Sequence, residues 1–415
     1  MNNFYLNLIK EQEKDQELFC VLEDYFRRPH QFRFDDNGNM RAFVYSNTDG
    51  NPVLEVLLTK KGRIDKISSQ LSKQETKVLE EQIKHAVLDN NGDKIGQVVC
   101  FFTGSVETYY RCDHFQILPV PAHAPKSPML AHSPFLLQFT YPTSSNWRIE
   151  AMRCMEQEQR YINLLTLFLH TVITINPSRP TPTWTRGFEQ QNSSELRFPG
   201  YFYPDYAHSI DTFSDTSDYQ QNASIPAKDY YTGIHAFYNT IIAGQHELRI
   251  PDNLCLSFEK VRSLSKKDRE NFYHACYWLR QAQIASSRSL SLIALITAIE
   301  CFIEKKQCPA CHQERVVALG RCEVCTEPIY KLTESFKDFV EKWLPVVARD
   351  QTALSLLYDT RSSLVHGSAV LLSDSHPWIQ FEENKQAYNE YSIYDRAYIL
   401  TKAVLNGWLH GGQYA

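Results

Sequence analysis

Leu357-Tyr358-Asp359-Thr360-Arg361-Ser362-Ser363-Leu364-Val365-His366-Gly367 decides how the second half of this chain is read, because it places a cation and a titratable imidazole at the end of one helix. Counting about 100° per residue from Leu354, the residues Leu354, Leu357, Tyr358, Leu364 and Val365 share one apolar stripe, as a packed helix requires. Arg361 lies in the middle of that stripe. A guanidinium aimed at a packing surface needs a counter-group, so Arg361 is expected to meet a carboxylate, a phosphate or a partner chain. Asp359, Ser362 and His366 follow a separate polar stripe at i, i+3 and i+7, within reach of one another. Gly367 suits the left-handed residue that ends many helices and leaves His366 in the last turn. The helix dipole also favours a histidine at that end, and an arginine can simply bridge to a neighbouring helix. Taken alone, these residues fit a structural role as well as a chemical one.

Working outward, Ser265-Lys266-Lys267-Asp268 is a capping start for a helix through residue 285, and Ser287 opens an apolar helix that ends near residue 304. Further helices are expected at 327–347, 352–366 and 393–409, which together make a helical bundle. The first half reads differently. Residues 30–34 and 41–45 flank Asp35-Asp36-Asn37-Gly38-Asn39, which is hairpin chemistry, and 52–59 and 97–103 are further short apolar runs. A charged helix is expected over 73–87 and a longer one over 150–171, with Met152, Met155, Ile162, Leu165 and Leu169 on its apolar side. Residues 176–228 are rich in Pro, Ser, Thr and Asp and should hold little helix, and the tyrosines from Tyr201 to Tyr231 read as packed loop residues. The expected class is therefore α+β, with a strand-rich domain over 1–225, a helical domain over 226–415, and an insert at 306–327 inside the latter.

That insert holds Cys308-Pro309-Ala310-Cys311 and Cys322-Glu323-Val324-Cys325, two CxxC pairs separated by ten residues. Four thiolates in such pairs close a tetrahedral site around Zn²⁺, and with sulfur in all four positions no place is left for water, so the metal is expected to be structural. His312 adjoins Cys311 and is expected to stay outside the first shell. The other seven of the eleven cysteines, Cys20, Cys100, Cys112, Cys154, Cys255, Cys276 and Cys301, are scattered through apolar surroundings and read as reduced core thiols.

Bulk composition narrows the classes further. A chain of 415 residues, 43% hydrophobic and 22% charged, is ordinary for a globular protein and long enough for two or three domains. A formal charge of −5 argues against coating nucleic acid by bulk electrostatics. The basic clusters Lys60-Lys61-Gly62-Arg63 and Arg262, Lys266, Lys267, Arg269 read as solvated surface. The first residues lack the pattern of a secretion signal. The most apolar runs, 162–175 and 290–303, fall short of the roughly 20 residues that span a bilayer, so a cytoplasmic location and no membrane partner are expected. No Walker loop, GxSxG elbow or HExxH pair is present, which leaves NTPase, serine-hydrolase and metalloprotease readings without support.

The 357–367 wording resembles the motif of Apea-like HEPN domains, whose signature is an arginine, four to six residues, then a histidine. The apolar run from Ser289 to Glu300 is similar to the helix that precedes it in that family, and the resemblance covers roughly residues 260–410. It implies an all-α HEPN fold for the helical domain and a metal-independent endoribonuclease, often a toxin or an anti-phage effector. Carried residue by residue, the motif falls on Arg361 and His366, with Ser362 following the arginine, Ser362 or Asp359 able to orient the histidine, and Glu300 where relatives often carry an acid. His366 would then serve as acid or base, since an imidazole exchanges its proton near neutral pH, and Arg361 would hold phosphate oxygens. The resemblance further implies an RNA substrate, a homodimer that brings two arginines and two histidines into one cleft, and a phage-derived trigger or cognate inhibitor acting through the first domain. The alternatives are a noncatalytic HEPN module that binds RNA or a nucleotide, and an interaction protein scaffolded by the zinc insert.

Overall fold

The computed structural model describes residues 14–27, 29, 31–60, 62–89, 92–102, 104–120, 133–169, 171, 173–175, 209–232, 247–303, 317–318, 321–322, 324–326, 332–344, 351–376 and 384–412. The architecture is mixed, strand-rich towards the N-terminus and helical towards the C-terminus. Two compact units divide it: Met1–Gly96 with Phe139–Glu158 and Ser209–Phe213, and Gln97–Gln138 with Gln159–His208 and Ser214–Ala415. The units are thus interleaved along the chain.

In the first unit, α1 (Asp15–Phe26) and α2 (Lys73–Ile83) accompany an antiparallel sheet of β1 (Gln31–Phe34), β2 (Met40–Ser46), β3 (Pro52–Leu58) and β4 (Ile64–Ser69), ordered as in sequence. The expected hairpin forms because the Asp35 carboxylate accepts the Asn37 and Asn39 amides at 3.0 and 2.8 Å, while Gly38 adopts a φ of +76°. Helix α2 opens with a capping box, Glu75 N–H to Ser72 Oγ at 3.3 Å and Ser72 N–H to Glu75 Oε2 at 2.9 Å. Leu18, Leu22, Tyr45, Leu54, Val56, Leu79 and Ile83 form the core between these elements.

The chain continues through β5 (Asp93–Phe102), β6 (Tyr110–Arg111), β7 (Phe115–Pro119), β8 (Ser133–Pro142), α3 (Trp147–Phe168), β9 (Thr174–Ile175) and β10 (Ser209–Ile210). Among the described residues these strands make a sheet ordered β10-β5-β8-β7-β6, with β9 also pairing to β5. On α3 the expected stripe holds for Ile162, Leu165 and Leu169, but Met155 is exposed and Arg153 is buried. The reason is electrostatic. Arg153 donates from Nε and Nη2 to both Glu17 oxygens at 2.8 and 2.6 Å, and to the Thr143 and Val87 carbonyls at 2.5 and 3.0 Å, which engages four of its five N–H donors.

Helices dominate thereafter: α4 (Ala227–Thr232), α5 (Leu254–Ser263), α6 (Lys266–Ile284), α7 (Arg288–Glu300), α8 (Leu332–Trp343), α9 (Gln351–Val365), α10 (Leu372–Ser375) and α11 (Lys385–His410). The Ser265 and Ser287 caps form as read, accepting from Asp268 N–H at 3.1 Å and Leu290 N–H at 3.3 Å. Helix α11 begins eight residues earlier than the apolar period suggests, because Asn384 caps it through the Gln386 and Ala387 amides. Central to the second unit is α7, which packs on α6, α9, α10 and α11. Leu292, Leu295, Ile296, Ala298 and Ile299 are fully enclosed, each leucine or isoleucine contributing roughly 1.5–3 kcal/mol. Beyond α7, Phe302 packs against Trp408 at 4.4 Å and stacks on Phe339 at 5.8 Å between ring centroids. Gly407 lies so close to α8 that an added Cβ would sit 2.8 Å from the Trp343 carbonyl oxygen, which makes glycine a packing requirement there.

One expectation about the scattered cysteines is corrected. Cys112 and Cys255, expected as reduced thiols, form a disulfide across a sequence separation of 143. Among the described residues no helix is long and apolar enough to cross a membrane.

Helix α11 ends with a buried histidine. His410 faces Ser257 Oγ through Nε2 at 3.1 Å and Lys260 Nζ through Nδ1 at 3.2 Å, and burial together with the Lys260 charge lowers its pKa to about 4. An unfolded imidazole takes up its proton near pH 6.5, so the unfolded state binds the proton first and stability falls as pH drops from about 6.5 to about 4. Denaturant titrations should show wild type losing about 3 kcal/mol over that window and His410→Gln losing markedly less. Equal pH slopes would contradict the assignment.

Candidate functional site

Helix α9 buries Leu354, Leu357, Tyr358 and Leu364 as the period requires, whereas Val365, counted on the same stripe, is 46% exposed. The stripe ends early because the helix does. Gly367, at φ +69°, turns the chain so that Ser368 N–H reaches the Ser363 carbonyl at 3.0 Å and Gly367 N–H reaches that of Leu364 at 3.2 Å. This double closure is the Schellman motif, and it leaves His366 exposed at the helix end.

Arg361 turns the other way. Its Nη2 donates to Glu300 Oε2 at 2.6 Å, Tyr358 O–H donates to Glu300 Oε1 at 3.0 Å, and the guanidinium carbon lies 5.8 Å from the Tyr358 ring centroid. Both charged side chains are about one-fifth exposed, at 20% and 21%. Glu300 is the last residue of α7, where the helix dipole disfavours an anion, so Arg361 and Tyr358 supply the compensation the dipole withholds. Burial, followed by the Glu300 charge and hydrogen bond, raises the Tyr358 pKa, so the phenol stays a donor. Burial and Glu300 also push the neighbouring Cys301 thiol up to about 11, which removes it as a nucleophile.

The expected site residues are therefore only partly assembled within one chain. Arg361, Glu300 and Tyr358 meet. Asp359 and His366 are exposed, Ser362 is half-buried, and among the described residues no side-chain hydrogen bond joins these three to one another or to Arg361. Arg361 and His366 stand five residues apart, about 140° around a helix, and face different surroundings. Compared with Arg153, saturated by two carboxylate oxygens and two carbonyls, Arg361 makes one ion pair and keeps a buried Nε without a hydrogen-bond partner. It retains donors for a further acceptor.

Sequence reading missed two contributors. Tyr358 was assigned to packing alone, since nothing in the helical period reports where a hydroxyl ends. Asp374, eight residues past His366, lies on the N-terminus of α7, accepting from Arg288 N–H, Ser289 N–H and Ser287 Oγ, all at 2.8 Å. Burial raises its carboxyl pKa, but the bonds from Ser289, Ser287 and Arg288 outweigh that and hold it below the usual range. Leu371 N–H joins the same anchor through Ser289 Oγ at 3.0 Å. One end of α7 is thus tied to the motif itself and the other to the segment that follows it.

Of the expected zinc ligands, Cys308 and Cys311 lie outside the described residues, as does His312. Cys322 and Cys325 are described. A short hairpin of β11 (Val317–Ala318) and β12 (Arg321–Cys322) leads into a turn in which Cys325 N–H points at Cys322 Sγ, 3.2 Å away, and Thr326 N–H returns to the Cys322 carbonyl at 2.8 Å. An amide donated to the first sulfur of a CxxC favours its thiolate form and fits a metal-binding knuckle. With two of four ligands outside, no group of three or more metal-ligating side chains occurs among the described residues.

No family model, curated protein or solved structure matches the chain.

The Glu300–Arg361 pairing makes a quantitative prediction. Glu300→Gln and Arg361→Met should each destabilise by about 2 kcal/mol, and the double variant by at least about 1 kcal/mol less than their sum. A denaturant double-mutant cycle with no coupling would show that the pair is not formed in solution.

Proposed function

We propose that this chain is a metal-independent endoribonuclease of the Apea-like HEPN class, acting on RNA as a toxin or anti-phage effector. The observation that carries the reading is the disposition of the motif. Arg361 is held by Glu300 with donors to spare, and His366 is exposed just past the helix end, five residues on. In this reading His366 removes the proton of a ribose 2′-hydroxyl, that oxygen attacks the adjacent phosphorus, the 5′-oxygen departs and takes up a proton from water, and a cyclic phosphate and a 5′-hydroxyl result. Arg361 stabilises the charge on the nonbridging oxygens, and Asp359 or Ser362 orients the imidazole. Because Arg361 and His366 do not face each other within a chain, the cleft is completed by a second copy, one protomer's arginine meeting its partner's histidine. The first domain serves as sensor for a phage-derived trigger or cognate inhibitor.

The test is incubation of wild type and His366→Ala with total cellular RNA in EDTA, with the cut ends mapped. Cutting should fall by about 10²–10⁴-fold in the variant and leave cyclic-phosphate or 3′-phosphate ends. Undiminished cutting by the variant, or none by wild type in any metal, would defeat the reading. The latter outcome would favour a noncatalytic HEPN module, a reading that the engagement of Arg361 by Glu300 supports.

We propose further that Cys308, Cys311, Cys322 and Cys325 hold one structural Zn²⁺, a reading supported by the Cys325 amide aimed at Cys322 Sγ. Elemental analysis should give one zinc per chain in wild type and less than about a tenth of that in Cys322→Ser/Cys325→Ser. Equal zinc in both would place the metal elsewhere.

A further inference from the structure

Cys112 lies in the turn between β6 and β7, where its N–H meets the Phe115 carbonyl at 2.8 Å, and Cys255 is the second residue of α5. Their Cα atoms are 5.7 Å apart, within the ordinary disulfide range. Cys112 is enclosed, at 9% exposure, whereas Cys255 is half-buried, the more open of the two partners. The Tyr110 hydroxyl lies beside both sulfurs, 3.5 Å from Cys255 Sγ and 3.8 Å from Cys112 Sγ. Burial raises its pKa, which keeps it a donor.

Helix α5 does not depend on this bond alone. Phe258 sits 4.6 Å from Phe115, 5.3 Å from Tyr161 and 5.6 Å from Phe168 between ring centroids, and Ser257 and Lys260 hold His410. Opening the disulfide therefore leaves the helix docked, the condition for a reversible change. No other described cysteine is disulfide-bonded, and burial holds Cys154 and Cys301 up at about 11, so these two compete poorly in exchange.

We infer that Cys112–Cys255 is a thiol-exchange site, opened by a dithiol reductant and closed by a small-molecule disulfide, with Tyr110 as its positioning residue. The reductant's thiolate attacks Cys255 Sγ, forming a mixed disulfide and expelling Cys112 as a thiolate, which Tyr110 O–H stabilises by donating to it. The second thiol then attacks the reductant's own sulfur in the mixed disulfide, releasing Cys255. Two electrons and two protons pass to the protein, and the dithiol becomes a disulfide. Closure reverses this, with two small thiols as products.

The full chain is treated with dithiothreitol, then with oxidised glutathione. Thiols are blocked with N-ethylmaleimide, located by non-reducing peptide mass spectrometry, and Tm is followed in parallel. The untreated protein should show the 112–255 linked peptides. Dithiothreitol should open them without unfolding, lowering Tm by about 5 °C or more, and oxidised glutathione should restore both. Cys112→Ser/Cys255→Ser should fold, show the low Tm and ignore the reductant. Tyr110→Phe should keep the oxidised Tm within about a degree yet open several-fold more slowly. Free Cys112 and Cys255 after glutathione treatment, or a bond that dithiothreitol cuts only on unfolding, would overturn the exchange site. An unchanged opening rate in Tyr110→Phe would overturn the tyrosine's part.

Discussion

A carboxylate at the C-terminal end of an enclosed apolar helix is the constraint on which the second unit depends. Glu300 ends α7, whose dipole repels it and whose neighbours offer little water, and the chain answers with Arg361 and Tyr358 from one face of α9. That answer fixes the rotation of α9. Once Tyr358 and Arg361 point at Glu300, the residues about 140° further round point elsewhere, and His366 emerges on the open side. The placement of the imidazole is thus a by-product of neutralising an acid.

Two ion-paired arginines show how far an ion pair can be read for purpose. Arg153 in the first unit spends four of its five N–H donors on Glu17 and two carbonyls, and so has little left to give. Arg361 is more open and underused. A group that only has to hold two helices together is best saturated. One that receives an anion keeps donors in reserve.

Much of this was legible in the residues themselves. The hairpin around Asp35, the caps at Ser265 and Ser287, the arginine drawn to a carboxylate and the glycine turn after His366 all depend on neighbours within four residues or on helical period. What stayed hidden is nonlocal. Cys112 finds Cys255 across 143 residues, and Asp374 finds the start of α7 across 85 to 87, distances at which sequence spacing carries no geometric information. Met155 and Val365 were misplaced for another reason. Apolar character was allowed to outvote an arginine four times bonded in one case and a helix terminus in the other.

The stacking of Phe302 on Phe339 brings the exit of α7 and the body of α8 together, with Trp408 of α11 alongside. Whatever chain runs between them leaves beside Phe302 and joins α8 about two turns before Phe339, on a scaffold that is already closed. Closure entropy then grows only slowly with the length inserted. Evolution can lengthen, shorten or replace the cysteine-bearing stretch as an exchangeable module while the host bundle keeps its shape.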